Sequence, residues 1–199
     1  MRLGVLGGSF DPPHAGHVIA AVDACESLGL DRLVVIPTAT QPLKVRAQGG
    51  ATPGQRLEMA RLAFGGDPRI EVSAMETDRV GLSYTVDTLE ALAAANPGAE
   101  LVLLLGSDAL KDFGRWKNPD RIRDLARIAV LAREGLAATA TPDERVATKM
   151  SGGAEIVTTR RVDVSSSEIR VRVAAGRSIR GFVAESVEEF ISTAKLYRS

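Results

Sequence analysis

The sequence predicts an α/β fold: a doubly wound, mainly parallel sheet with helices on both faces. Two observations predict it. Six short apolar runs, RLGVLG, RLVVIP, RIEVSA, LVLLLG, RIAVLA and EIVTT, alternate with longer stretches of helical period. Within the runs apolar residues do not alternate with polar ones, which marks strands covered on both faces rather than strands with one wet face. A β-α-β-α order then calls for crossover helices between parallel strands.

The first run, residues 2–7, leads into HAGHVIAAVDACESLG, where Val18, Val22, Cys25 and Leu28 fall on one stripe and Gly29 can end the helix. After RLVVIP comes TPGQRLEMARLAFGG, with Thr52 as N-cap, Pro53 at the first helical position, Gln55 at the reciprocal capping position and a Gly-Gly stop. RIEVSA follows. A third helix is expected from near Thr85 to Asn96, ahead of LVLLLG. Another runs from the Asn118–Pro119 start signal toward Leu125, ahead of RIAVLA. Residues 134–153 read as a surface helix between loops, and the chain is helical again from about residue 165. No repeat, low-complexity tract or linker interrupts it, and 199 residues, 45% of them hydrophobic, suit a single domain spanning 1–199.

Composition limits the partners. With 25 basic and 25 acidic residues the formal charge is zero, so nothing draws the whole chain to nucleic acid or to a membrane surface, and any anionic ligand must be met locally. No run approaches the roughly 20 apolar residues of a membrane span, and no signal peptide is recognised. Cys25, the single cysteine, has no partner for an internal disulfide; a reducing cytoplasmic location is expected. The composition is compatible with a homo-oligomer.

In a doubly wound sheet, ligands bind beyond the carboxyl ends of the strands, near the switch point of strand order. Five turns qualify: GGSFDPPHAGH, PTATQPLKVR, GSDAL, AREG and the approach to SSSEIR. The first holds both histidines of the chain. It is neither the dinucleotide fingerprint nor the phosphate loop with a Gly-Lys-Ser/Thr ending. Gly7 and Gly8 allow a ligand close to the backbone, Pro12 and Pro13 stiffen the turn, and the following helix offers N–H groups and the positive end of its dipole. His14 and His17, at i and i+3, share a face of the first turn, with Gly16 leaving room for an anion. The alternatives are a turn residue plus a packed helix residue, or a zinc pair; a single cysteine and no further histidine disfavour zinc.

GGSFDPPHAGH resembles the H-x-G-H signature of the nucleotidyltransferase superfamily, and most closely that of the nicotinate-nucleotide adenylyltransferase family. VDVSSSEIRVRV resembles the second signature of that family, I-S-S-T-x-[IL]-R. GSDALKDFGRW and DRVGLSYTVDTL resemble two further family segments. The resemblance spans Arg2 through the terminal AKLYRS and is weakest between Glu134 and Gly153. It implies the Rossmann-like nucleotidyltransferase fold and transfer of the adenylyl group of ATP to nicotinate mononucleotide, giving deamido-NAD and pyrophosphate, with Mg2+ bridging phosphates.

The resemblance also distributes roles. His14, His17, Lys44 and Arg170 are expected to serve catalysis by holding phosphate oxygens. Gly7, Gly8, Ser9, Phe10, Gly16, Gly106, Asp108, Ser165, Ser166 and Ser167 are expected at ATP, with Asp108 on a ribose. Ser9, Tyr84, Thr85, Trp116, Lys117 and Arg133 are expected at nicotinate mononucleotide, with the Thr85 amide receiving the nicotinate carboxylate and Trp116 stacking on the pyridine. The residues suit these tasks on their own chemistry. Ser165 and Glu168 have capping-box spacing, so a helix with exposed amides should start there. Arg170 in its first turn can fork onto a phosphate, a carboxylate can accept from sugar hydroxyls, and a helix N-terminus favours a carboxylate.

One departure stands out. Where the family shows P-P-H-K, this chain has QPLKVR, with Leu43 in place of the histidine; Lys44 remains, and Arg46 can assist. TKMSGG combined with H-x-G-H also resembles the class I aminoacyl-tRNA synthetases, but the triplet is incomplete and the chain too short for a tRNA-reading domain. Competing readings are adenylyl transfer to nicotinamide mononucleotide or another phosphomonoester such as phosphopantetheine, and a non-enzymatic nucleotide sensor.

Overall fold

The computed structural model describes residues 1–40, 50–79, 81–133 and 154–198, with Arg133 described by its backbone only. Six strands, β1 (Arg2–Gly8), β2 (Arg32–Pro37), β3 (Ile70–Val72), β4 (Glu100–Gly106), β5 (Ala126–Arg133) and β6 (Glu155–Thr159), form one sheet in the order β3-β2-β1-β4-β5-β6. Every strand pair is parallel. All six predicted runs are therefore strands, and the strand order reverses between the neighbours β1 and β4.

The unbroken apolar character of the strands is explained by two cores, one on each face. On one face Leu3, Val5, Leu101, Leu103 and Ile128 pack with Val86, Leu89 and Leu92 of α3 (Thr85–Ala95) and Ile122 of α5 (Pro119–Leu125). On the other, Leu6, Val35, Val102, Leu104 and Ala129 meet Ala21, Ala24, Cys25 and Leu28 around α1 (Ala15–Ser27), and Ala60 and Phe64 of α2 (Pro53–Phe64). Successive strand residues face opposite layers, so both parities must be apolar. Truncating a side chain such as Leu89, which is fully buried, to alanine is expected to cost about 2–5 kcal/mol.

Local signals place the helix ends. Thr52 caps α2 by accepting from the Gln55 amide at 3.3 Å while the Gln55 side chain accepts from the Thr52 amide at 2.8 Å. α1 is followed by Gly29 at φ +56°, a backbone that favours glycine. The GSDAL turn closes into the short helix α4 (Ser107–Lys111). Beyond β6 come α6 (Ser166–Ala174) and α7 (Glu185–Thr193), which build a third cluster with α2: Met59, Ile169, Ile179, Val187, Ile191 and Tyr197. Among the described residues no helix is long and apolar enough to cross a membrane. The predicted surface helix within 134–153, the TKMSGG segment, and Leu43, Lys44 and Arg46 lie outside the described residues.

Candidate active site

The exits of β1 and β4 open into a cavity of about 290 Å³ at the switch point, where a doubly wound sheet is expected to hold its ligand. Nine of the predicted site residues line it: Gly7, Gly8, Ser9, Tyr84, Thr85, Gly106, Asp108, Trp116 and Lys117. Thr85 is the first residue of α3, and Tyr84 occupies the N-cap without a side-chain cap. The Thr88 amide is satisfied by the Tyr84 carbonyl at 3.2 Å. The amides of the first turn thus begin at the cavity wall. Trp116 packs partly against the core, 5.4 Å from the Phe113 ring, and also lines the cavity. It is both a core residue and a wall residue. The Lys117 ammonium sits 4.5 Å over the Tyr84 ring and 3.0 Å from the Asp87 carboxylate, fastening the Trp116 turn to α3. Asp108 is fully exposed at the rim and pairs only loosely with Lys111, at 3.6 Å.

The second group of predicted residues gathers at the start of α1. His14 is the N-cap and largely buried, and its ring centroid lies 3.8 Å from that of His17. The His14 amide donates to Nδ1 of His17 at 3.2 Å. An imidazole nitrogen that accepts an N–H carries no proton, so the neutral His17 ring bears its proton on Nε2 and is fixed as a donor there. Ala15 donates its amide to the Phe182 carbonyl at 2.9 Å, and the amides of His17 and Val18 both turn to the His14 carbonyl. The expectation of several open amides at this helix start is therefore narrowed to the Gly16 N–H.

Two glycines have a different use from the one expected. A side chain at Gly8 would come within 2.8 Å of the Phe10 ring, and one at Gly16 within 3.2 Å of the His14 ring. Gly8 and Gly16 make room for protein rings. Phe10 is itself buried, at φ +48°, edge-on to His17 at 5.2 Å and to Phe64 at 5.6 Å. It props the histidine from below, and a non-glycine residue in the left-handed region at this point is strain held by the surrounding packing.

α6 closes onto the same loop. Ser165 accepts from the Glu168 amide at 3.1 Å, Ser166 donates to the Pro12 carbonyl at 2.8 Å, and Ser167 accepts from Arg170 at 3.2 Å. The other guanidinium nitrogen of Arg170 donates to the Asp11 carbonyl at 2.7 Å. In this structure, then, the arginine expected on phosphate holds the histidine loop. Of the remaining predicted residues, Arg133 ends β5 at the same edge of the sheet, and Lys44 lies outside the described residues.

Four residues that the sequence reading did not single out support the site. Arg56, buried in α2, donates to the Ser9 carbonyl at 2.7 Å and to the Ala39 carbonyl at 3.0 Å, tying the histidine loop to the exit of β2. A charge at i next to Met59 and Ala60 on an apolar stripe was the available signal. Asp11 accepts from the Ala51 amide at 3.0 Å and from Tyr197 at 2.7 Å. Burial and the adjacent Asp11 carboxylate push the Tyr197 phenol far above its ordinary value. Glu76 lies in the cavity wall and accepts from Thr88 at 2.8 Å; burial pushes its carboxyl up, against the pull of the Thr88, Ser83 and Thr38 hydroxyls and of Arg79. Among the described residues no group of three His, Cys, Asp or Glu side chains is placed to hold a metal ion.

Known proteins share this architecture. A family profile described as Cytidylyltransferase-like matches residues 5–172. A Gemmatimonas aurantiaca protein named "Probable nicotinate-nucleotide adenylyltransferase" is 47% identical over 203 residues, covering 100% of this chain and 93% of the relative. A Thermus thermophilus protein of the same name is 40% identical over 198 residues, covering both chains fully. The solved structure of Plasmodium falciparum nicotinic acid mononucleotide adenylyltransferase complexed with NaAD superposes with a TM-score of 0.77 over 98% of this chain and 97% of that one, at 18% identity, and so shares the fold. End-to-end similarity at these identities, on the sheet and histidine loop described above, establishes that the chain belongs to the nicotinate-nucleotide adenylyltransferase family, within the cytidylyltransferase-like group.

Proposed function

We propose that the protein transfers the adenylyl group of ATP to nicotinate mononucleotide, releasing pyrophosphate. The observation that supports this reading is one cavity lined both by Thr85 at the start of α3 and the Trp116 ring and by Gly7, Gly8 and Ser9, which lead into the histidine loop. A planar ring with a carboxylate fits the first part, since helix N-terminal amides favour an anion and an indole face suits a flat ring. A triphosphate fits the second, where the Gly16 N–H and the His17 Nε2–H supply donors.

The nucleophile is a phosphate oxygen of nicotinate mononucleotide. The second pKa of a phosphomonoester is about 6, so it is already largely ionised at neutral pH and needs no general base. It attacks the α-phosphorus in line; the bond from that phosphorus to the bridging oxygen breaks, and pyrophosphate leaves with the electron pair. The chain's own residues align the two nucleotides and stabilise the charge that spreads over the transferred group. His14 and His17 act on phosphate oxygens; Lys44 and Arg170 are assigned to the leaving pyrophosphate, with Arg170 exchanging its Asp11 contact for the ligand. Asp108, exposed at the rim, is assigned to the ribose hydroxyls, Ser165–Ser167 to the phosphates and Arg133 to the mononucleotide. The donor set of histidines, amides and serines suits phosphate oxygens, so magnesium would enter on the triphosphate, held by its oxygens and by water, and supply charge neutralisation there. We place the enzyme in the cytoplasm, where a buried free thiol such as Cys25 stays reduced.

The test is pyrophosphate release from ATP and magnesium with nicotinate mononucleotide, its amide counterpart and phosphopantetheine run in parallel. Release with the acid far above the others supports the reading. Preference for the amide keeps the chemistry and overturns the substrate, and ATP binding with no release under any condition rejects catalysis in favour of a sensor.

A further inference from the structure

The wall of the cavity beneath Thr85 is built from buried polar side chains that the proposed chemistry does not use. Glu76, in the connection between β3 and α3, is 6% exposed, and Thr88, one turn into α3, is 2% exposed. The Thr88 hydroxyl donates to the Glu76 carboxylate at 2.8 Å. The hydroxyls of Ser83 and of Thr38, just past β2, face the same carboxyl, and all four residues line the cavity. The Ser83 amide donates to the Thr40 carbonyl at 3.0 Å. A single carboxyl thus gathers the exit of β2, the Ser83–Thr85 turn and the second turn of α3.

From this geometry we infer that Glu76 is a positioning residue for the pyridine-nucleotide side of the site: by holding Thr88 it fixes the start of α3, which presents the Thr85 amide to the cavity. The inference rests on the adenylyltransferase reading above, because that reading assigns the Thr85 amide its ligand. The physical reason is the cost of leaving buried groups unmatched. Each hydroxyl that loses the carboxyl must either go unsatisfied or swing the turn toward water, and a helix start displaced by a fraction of an ångström no longer meets its ligand. The required group is an acceptor at that depth. The bond it accepts comes from α3, whose start is assigned to the mononucleotide, so the mononucleotide half of the site is the half expected to depend on it.

The experiment compares Glu76→Met, which keeps length but removes the acceptor, with Glu76→Gln, which keeps one acceptor oxygen, and Thr88→Val, which removes only the donor. Two readouts are taken: KM for each substrate with kcat, and amide exchange of residues 83–88 in the substrate-free protein. E76M is expected to raise KM for nicotinate mononucleotide about tenfold, with kcat and KM for ATP within about twofold, T88V to do so about threefold, and E76Q to restore most of the affinity. Exchange at 83–88 should quicken in E76M and T88V and return toward the parent in E76Q. Folded E76M and T88V with parental KM and exchange would overturn the inference, as would a parallel rise in KM for ATP or an E76Q as damaged as E76M. If E76M does not fold, T88V decides alone. If the parent protein does not use nicotinate mononucleotide, the functional reading has failed, and the exchange data still decide whether Glu76 holds the turn.

Discussion

Tyr197 and Asp11 lie 186 residues apart in sequence and 2.7 Å apart in space, the phenol donating to Oδ1 of the carboxylate. The same oxygen accepts from the Ala51 amide at 3.0 Å, and the Asp11 carbonyl accepts from Arg170 at 2.7 Å. One aspartate of the histidine loop therefore receives the end of the chain, the approach to α2 and the first turns of α6. The C-terminal helices are part of the scaffold of the site, and Arg56, bonded to Ser9 and Ala39, is their counterpart on the α2 side.

Tyr197→Phe keeps the ring in the third core and removes the donor. A buried hydrogen bond to a charged group contributes about 1.5–3 kcal/mol, and that loss is expected in denaturant unfolding. Because Asp11 keeps its Ala51 bond, the loop loosens without unfolding, so kcat/KM should fall several-fold at full secondary structure. Unchanged stability and turnover would show that the tie carries no energy.

His17→Ala removes the Nε2 donor and the acceptor of the His14 amide together. Loss of a transition-state donor costs on the order of 2.7–4 kcal/mol, about 100–1,000-fold in kcat, while losing the cap bond lowers stability by about 1 kcal/mol. Circular dichroism and steady-state kinetics on the same preparation separate the two. A folded variant with parental turnover would remove His17 from the mechanism.

Gly16→Ala should move stability and activity in opposite directions. Alanine is the better helix former by about 1 kcal/mol, so the melting temperature should hold or rise. Its Cβ would stand 3.2 Å from the His14 ring, forcing that ring to shift by a few tenths of an ångström, and misplacement on that scale is expected to lower kcat on the order of tenfold. A gain in stability with unchanged kcat would mean that the position of His14 is not critical.

What the sequence made legible was what local pattern encodes. The six strands, the Thr52–Gln55 cap, the Gly29 stop and the α3 start at Thr85 each follow from residues within a few positions of one another. Of the nine cavity residues, Gly7, Gly8, Ser9, Gly106 and Asp108 lie in turns at strand exits, which the switch-point rule brings together, and Tyr84, Thr85, Trp116 and Lys117 came from the resemblance to family segments. Arg56, Asp11, Glu76 and Tyr197 were missed because the partners of each lie on other elements, and no periodicity encodes which carbonyl a buried guanidinium will reach. Gly8 and Gly16 were read as space for a ligand because the rings that fill that space, Phe10 and His14, are placed by a backbone turn with a left-handed residue at Phe10 that the sequence does not advertise.

The pH dependence of stability tests the Glu76 environment directly. Burial raises the carboxyl above its ordinary value, and the Thr88 bond, the neighbouring Ser83 and Thr38 hydroxyls and the charge of Arg79 only partly oppose it. A carboxyl whose folded value exceeds its unfolded one binds its proton more tightly in the folded state. Its favourable contribution is complete below the unfolded value, about 4.3, and is lost as pH rises through that value to the raised folded one, with a slope of at most about 1.4 kcal/mol per pH unit. Glu76→Gln carries no such titration and keeps an acceptor for Thr88. The unfolding free energy of the variant minus that of the parent should therefore rise between about pH 4 and the folded value of Glu76 and then level off. Urea unfolding at half-unit intervals from pH 4 to pH 8 measures that difference. A difference that stays flat above about pH 5 and falls only as pH rises toward that point would mean that the hydroxyl donors and Arg79 outweigh burial and that Glu76 is held in the fold as a stabilised anion.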